Sequence, residues 1–422
     1  MSQAIDSVTG ALQGLQFSSS ESKAADIQID VDSPKNNRSG LLTLPNELLI
    51  QVAEHLTASK CGGIIAGSTQ DLTHLALVCK RLVPITNTVL YRSVTLQAPD
   101  RHMSRKGPRQ CVLPQFLRTI LRHPRLGACV EEITLYFVKG KPVHPQGPVK
   151  KEGMCTCGDC AKMLSITLHS MRLTLDENIA WQKDLSHPTE AMVCGLILAS
   201  LPNLRSVELH SEKLRKIDHL HGSNARIQAR SDVDRLGHGL IGTKVQTISL
   251  SDALNGLRLS RLPNLTRLIV DFTGSNRYIW ADRTLANITA LTIKGPVKDM
   301  DEAIFEIELD MLLQYLPNLR SLEFESRLIA KLRRIPRHVD TVIFRPADGD
   351  FLHWVQSELN APAGPTKLRS IVLHWEKDKP ALDAMAPHFG CVQELVEKTG
   401  VRVTIMWRDT VWKTMYKTGT GF

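Results

Sequence analysis

The stretch LPNLRSVEL at residues 201–209 returns as LPNLTRLIV at 262–270 and as LPNLRSLEF at 316–324. Each residue type has a task. The first Leu closes a helix and Pro stops it. Asn supports a turn, and the second Leu enters a core just before a short alternating strand. Weaker copies are VEEITLYF (130–137), KVQTISL (244–250), NITALTI (287–293), HVDTVIF (338–344), KLRSIVL (367–373) and VRVTIMW (401–407). Strand centres are expected near Val207, Ile248, Leu268, Leu291, Leu322, Val342, Ile371 and Val403, spaced about 20 to 41 residues apart. Amphipathic helices are expected in LPQFLRTILRH, TEAMVCGLILASL, IELDMLLQYL and FGCVQELVEKTG. One strand with one helix or loop cannot close a core alone, so neighbouring units must stack. Residues 97–422 are therefore expected to form an irregular α/β solenoid, with a long insertion at about 138–190.

Alternation also predicts which side chains enter the core. On LPNLRSVEL the inward set is Leu204, Val207 and Leu209, leaving Arg205, Ser206, Glu208 and His210 outside. Arg320 and Arg369 hold the place of Arg205 in two further units, next to Ser each time. An arginine there can simply begin a strand and stay solvated. A ladder of guanidinium groups would instead suit an acidic or phosphorylated segment of a protein substrate, because Arg offers a planar fork to carboxylate or phosphate.

The chain before the repeats is different. Residues 1–40 are rich in Ser, Asp, Asn and Lys and are expected to be disordered. In TLPNELLIQVAEHL (43–56), Pro45 suits a first helical position, and Leu48, Val52 and Leu56 repeat at helical spacing with Leu49 and Ile50 beside them. A second helix is expected in DLTHLALVCKRL with Asp71 as its cap, then a helical turn opened by Pro84, then a short strand RSVTL.

The block LPNELLIQVAEHL…DLTHLALVCKRLVPITNTVLYRSVTL, about residues 41–96, resembles the F-box family. The matching positions are Leu44, Pro45, Glu47, Leu48, Ile50, Val52 and Leu56, then Asp71, Leu72, Leu75, Val78, Cys79, Lys80, Arg81, Leu90, Tyr91 and Val94. The repeats behind it look like the leucine-rich-repeat branch of that family. The resemblance implies an all-α motif that binds the Skp adaptor protein of a cullin-RING (SCF-type) ubiquitin ligase, through Leu44, Pro45, Glu47, Leu48, Ile50, Val52, Leu56, Leu72, Leu75, Val78, Cys79, Arg81, Leu90 and Tyr91. The repeat domain would hold a protein substrate, and ubiquitin chemistry would belong to other subunits. The loop at residues 57–70 is longer than the family pattern. A non-ligase interaction scaffold on the same solenoid is the rival reading.

Composition fits this class. The chain has 422 residues, 42% hydrophobic and 23% charged, with a net charge of +9. No run of eighteen apolar residues spans a membrane. The N-terminus lacks a basic start with an apolar block, which predicts an intracellular protein of the cytoplasm, the nucleus or both. Basic runs lie at 101–110, 139–151 and 331–338. Solvated loops, an acidic partner and nucleic acid all suit them, but no interleaved aromatics favour base stacking.

Motifs of chemistry are sparse. Cys155, Cys157 and Cys160 in MCTCGDCAK fit half of a zinc site, with His144, His169 or His187 as a fourth ligand, or an oxidisable cluster, or inert loop thiols. No cofactor is otherwise expected. GHGLIG (237–242) matches a dinucleotide motif by letter, but a polar segment precedes it and a strand follows, which is the wrong setting. No nucleophile elbow, phosphate loop or zinc-protease motif occurs, so an enzyme is not expected.

Overall fold

The computed structural model describes residues 44–57, 68–96, 112–138, 143, 165–171, 173–185, 188–212, 222–251, 257–271, 285–294, 302–324, 335–347, 354–355, 367–375, 389–407 and 410–417. The chain divides into two compact units, Met1–Val94 and Thr95–Phe422. The expected disordered head (1–40), most of the loop at 57–70 and Cys155, Cys157 and Cys160 lie outside the described residues.

The first unit is built from α1 (Asn46–Thr57), α2 (Ser68–Val78) and α3 (Leu82–Arg92). The carbonyl of Pro45 accepts the Leu49 N–H at 3.1 Å, so the proline stands at the helix start, where its missing donor costs nothing. Helix α2 begins earlier than expected. Asp71 is not its cap but sits in its first turn, where a carboxylate suits the positive helix end. The buried stripe of α1 is also rotated from the expected one. Leu49 and Ala53 are buried with Leu72, Leu82, Ile85 and Val89, whereas Leu48 stands out and Val52 is half-buried. The three helices share one interior, and α1 turns its narrow Leu49–Ala53 edge into it because Ala permits close approach.

The second unit is mixed α/β. An eleven-stranded sheet runs in sequence order: β1 (Ser93–Leu96), β2 (Glu132–Val138), β3 (Ser206–Glu212), β4 (Thr247–Ser251), β5 (Arg267–Asp271), β6 (Ala290–Lys294), β7 (Ser321–Phe324), β8 (Thr341–Phe344), β9 (Ser370–Trp375), β10 (Arg402–Trp407) and β11 (Thr410–Met415). From β2 to β10 each neighbour is parallel; β11 returns antiparallel to β10. The registers align the expected strand centres in one column, Ile133–Val207–Ile248–Leu268–Leu291–Leu322–Val342–Ile371–Val403. Every member is buried, and burying one such side chain fully is worth about 1.5–3 kcal/mol. A second column, from Leu135 through Leu209, Leu250, Val270, Ile293, Phe324, Phe344 and Leu373 to Ile405, is buried beside it.

The residue before each strand makes the repeat possible. The Glu131 carbonyl accepts the N–H groups of Arg205 and Ser206, the Arg205 carbonyl those of Gln246 and Thr247, and the Gln246 carbonyl those of Thr266 and Arg267, all at 2.8–3.0 Å. The series continues through Thr266, Thr289, Arg320 and Asp340. The Asn of two L-P-N-L copies, and that of the related L-A-N-I at 285–288, does more than support its own turn. Asn203, Asn287 and Asn318 donate their side-chain amides to the carbonyls of Ala128, Pro263 and Ala286 in the preceding unit, at 2.8, 3.4 and 2.8 Å.

Helices fill the gaps: α4 (Val112–Arg122), α5 (Pro124–Cys129), α6 (Leu175–Asp184), α7 (Glu190–Ala199), α8 (Gly222–Leu240), α9 (Glu302–Gln314) and α10 (Phe389–Thr399). On α4 the buried stripe is Leu113, Leu117, Ile120 and Leu121, a helical period. Helix α7 is not amphipathic as expected, because every residue from Glu190 to Leu198 is buried. It packs against both α4 and α8. Gly239 of GHGLIG serves the contact with α7. A Cβ on Gly239 would lie 2.1 Å from the Gly195 carbonyl oxygen, and one on Gly195 would lie 2.5 Å from that of Arg235. Helices α8 and α10 end at Gly242 (φ 86°) and Gly400 (φ 75°), left-handed positions that glycine occupies without strain.

Gly239→Ala is therefore expected to destabilise the second unit by about 2 kcal/mol, an overpacking cost that outweighs any gain in helix propensity. Gly390→Ala, with open space around its Cβ, is expected to be neutral or to stabilise by up to about 1 kcal/mol. Urea midpoints followed by circular dichroism check the pair.

Candidate interaction surfaces

The residues expected to meet an adaptor have different fates in the first unit. Pro45, Glu47 and Arg81 are exposed; Leu44, Ile50, Val52, Leu56, Leu75, Cys79, Leu90 and Tyr91 are partly buried. Leu72 is only 1% exposed and belongs to the unit's own core. Arg81 is engaged within the unit, donating to the Leu44 carbonyl at 2.8 Å and to Asn46 Oδ1 at 3.2 Å, which ties α1's start to the end of α2. Arg92 pairs with Glu54. Burial pushes the Tyr91 hydroxyl pKa up. Three large apolar side chains also stand exposed: Leu48, Leu77 and Val78 at 43%, 66% and 68%. Leu77 was not singled out from the sequence. Its position on α2 looked like ordinary helix, and only the observed packing of α2 turns it outward.

The other face of the sheet is mixed, with polar side chains beside Ile269, Ile343, Val372 and Met406. Its residues are those that alternate away from the two buried columns. Arg267 donates to Glu323 at 2.6 Å and to Thr292 at 3.2 Å, and Thr292 donates to Glu323 at 3.0 Å. Tyr136 stacks on His210, centroids 4.3 Å apart with planes 7° from parallel, and His210 lies 3.1 Å from Glu208. Arg345 lies 3.0 Å from His374. Arg205, Arg320 and Arg369 are exposed at equivalent pre-strand positions. They do not form an unbroken ladder. Gln246, Thr266 and Thr289 stand between the first two, and Asp340 stands between the second two.

A third group of polar side chains lies where α6 meets α8, around a cavity of about 550 Å³ lined by Glu177, Asp234, Arg235, His238, Arg258 and Arg261. Helix α6 is started by a capping box: the Thr174 hydroxyl accepts the Glu177 N–H, and Glu177 accepts the Thr174 N–H. Trp181, fully buried, donates its indole N–H to His238 Nδ1 at 3.2 Å. An indole nitrogen can only donate, so Nδ1 is unprotonated and His238 carries its proton on Nε2, 3.1 Å from Glu177 Oε1. Arg235 lies over the Trp181 ring, 5.1 Å from its centroid, and donates to Asp184 at 2.7 and 3.1 Å. Burial holds His238 below its usual pKa, against the pull of Glu177. For Glu177, burial acts upward, but the Thr174 N–H, His238 and Arg261 outweigh it and bring the carboxyl down to about 2. Each polar group in the chain Glu177–His238–Trp181–Arg235–Asp184 is satisfied by its neighbour, so the group locks α6 onto α8. Among the described residues no cluster of His, Cys, Asp or Glu is arranged to hold a metal. No helix among them is long and apolar enough to cross a membrane.

Compared with known proteins, the sequence matches no family model and shows no significant similarity to any curated protein.

The α6–α8 lock sets a pH dependence. Both pKa values lie below their unfolded values, 6.5 for His238 and 4.5 for Glu177, so the unfolded chain binds more protons. The stability they contribute is whole above pH 6.5, and falls first as His238 is forced to charge. It falls further between pH 4.5 and about 2 as Glu177 is protonated. The urea midpoint of the wild type is expected to drop across both ranges. Glu177→Gln is expected to lower the midpoint at neutral pH and to make the lower limb shallower.

Proposed function

We propose that the protein is a non-enzymatic, substrate-recruiting adaptor of an SCF-type ubiquitin ligase, acting in the cytoplasm or nucleus. Its first unit is an F-box that binds the Skp adaptor protein and through it a cullin-RING ligase. Its second unit is a leucine-rich-repeat-like solenoid that holds a protein substrate. The observation that carries the reading is the pairing of the F-box sequence pattern with three large apolar side chains, Leu48, Leu77 and Val78, left outside a small helical core. A unit with so little interior gains from covering such side chains with a partner.

The repeat unit supports the second half of the reading. Strands stacked in sequence order present a second face, largely of polar side chains, that can be altered residue by residue while the buried columns stay intact. The adaptor contributes proximity: it holds a substrate lysine near the charged conjugating enzyme and raises its effective concentration there.

Leu48→Ser combined with Val78→Ser removes apolar contact area without touching the Leu49–Ala53 core. Recovery of the Skp adaptor in a pull-down is expected to fall at least about tenfold, equivalent to about 1.4 kcal/mol, with the circular dichroism spectrum unchanged. Undiminished recovery contradicts the reading. Recovery of Skp without any cullin subunit would favour a scaffold acting outside the ligase.

A further inference from the structure

We infer that the substrate-holding element of the second unit is the row of pre-strand residues, and that it takes an extended acidic segment laid across the strands with acids at set spacings. This rests on the substrate-recruiting reading above and adds the ligand's chemistry and geometry.

The row is fixed by backbone. Glu131, Arg205, Gln246, Thr266, Thr289, Arg320, Asp340 and Arg369 are linked carbonyl to N–H, one residue per strand from β2 to β9. Arg205, Arg320 and Arg369 are exposed, and their guanidinium groups make no ion pair or side-chain hydrogen bond among the described residues. Two arginines further along the same face differ, since Arg267 is held by Glu323 and Thr292 and Arg345 lies against His374, whereas Arg402 at the start of β10 is exposed like those of the row. Exposed guanidinium groups at the row, without a side-chain partner among the described residues, offer open donors to an anionic partner.

Spacing follows from register. Adjacent strands lie about 4.8 Å apart, so Arg320 and Arg369, two strands apart, stand about 10 Å from each other. Arg205 and Arg320, four strands apart, stand about 19 Å from each other. An extended chain advances about 3.3 Å per residue, so the matching acids fall about three and about six residues apart. Asp340 stands on the rung between Arg320 and Arg369, and an acid midway between the last two anions would meet it. A nucleic-acid strand fits poorly. It carries an anion at every nucleotide, one of them against Asp340, and none of the eight row residues is aromatic.

The test uses the full chain and fluorescent twelve-residue peptides in a Ser–Gly background, read by anisotropy. Acids are placed at the first, seventh and tenth positions, or at the first, fourth and tenth for the opposite chain direction. Glutamate and phosphoserine versions distinguish carboxylate from phosphate as the source of the anion. One of these spacings is expected to bind at least tenfold more tightly than a peptide of the same composition with adjacent acids. A fourth acid placed opposite Asp340 is expected to weaken binding, and Arg320→Gln is expected to abolish the spacing preference. Equal binding of the spaced and adjacent peptides, or a single-stranded oligonucleotide that binds in their place, overturns the inference. Skp capture measured on the same preparation separates the two claims, since its loss overturns the adaptor reading and leaves the peptide result standing.

Discussion

The second unit depends on one repeated backbone event. At the foot of each strand a single carbonyl accepts two N–H groups from the next unit, from Glu131 through to Asp340. That double acceptance sets the register, and with the register fixed, period-2 alternation sends the same two positions of every strand into the core. A slip of one residue would turn Val207, Ile248, Leu268 and their column outward together, a loss of roughly 1.5–3 kcal/mol per side chain. The side-chain amides of Asn203, Asn287 and Asn318 reinforce the same junctions. Pro in L-P-N-L then has a clear purpose. It ends the preceding helix so that the chain can arrive at the junction extended.

Much of this was legible in the sequence because strand alternation is a local signal. All eight expected strand centres lie in strands and share one register column. The helices were read less well, for identifiable reasons. Helix α8 is mostly polar, and its apolar stripe, Val233, Leu236 and Leu240, is confined to its last turns, so the sequence pattern did not announce it; the close glycine contact with α7 and the Trp181–His238–Glu177 chain add to its support. Helix α7 carried so many apolar residues that its burial on all sides, not on one, was hidden in the pattern. Helix α1 was assigned the wrong edge, since Leu48 and Leu49 are equally apolar in sequence and only packing decides which faces inward.

The interaction surfaces were legible in kind more than in detail. That Arg205, Arg320 and Arg369 share a position was visible in the repeats; that three neutral residues and one acid separate them was not, because spatial order needs the strand pairing. In the first unit, the sequence did not show that Arg81, which is exposed, is also tied to the start of α1. Leu48 and Val78 are motif positions that the fold leaves exposed, and Leu77 is an exposed apolar side chain that the motif did not mark. The polar chain at α6 and α8 shows the opposite case, a cluster of titratable groups whose partners are already supplied by the fold.

The account rests on a division of labour, with adaptor binding assigned to the helical unit and substrate binding to the sheet. Hydrogen–deuterium exchange on the full chain, with and without purified Skp adaptor, tests it most directly. Added Skp is expected to slow exchange in residues 46–57 and 68–92 and to leave the strands from residue 206 onward unchanged. Unchanged exchange throughout, or protection confined to the sheet, would contradict the account.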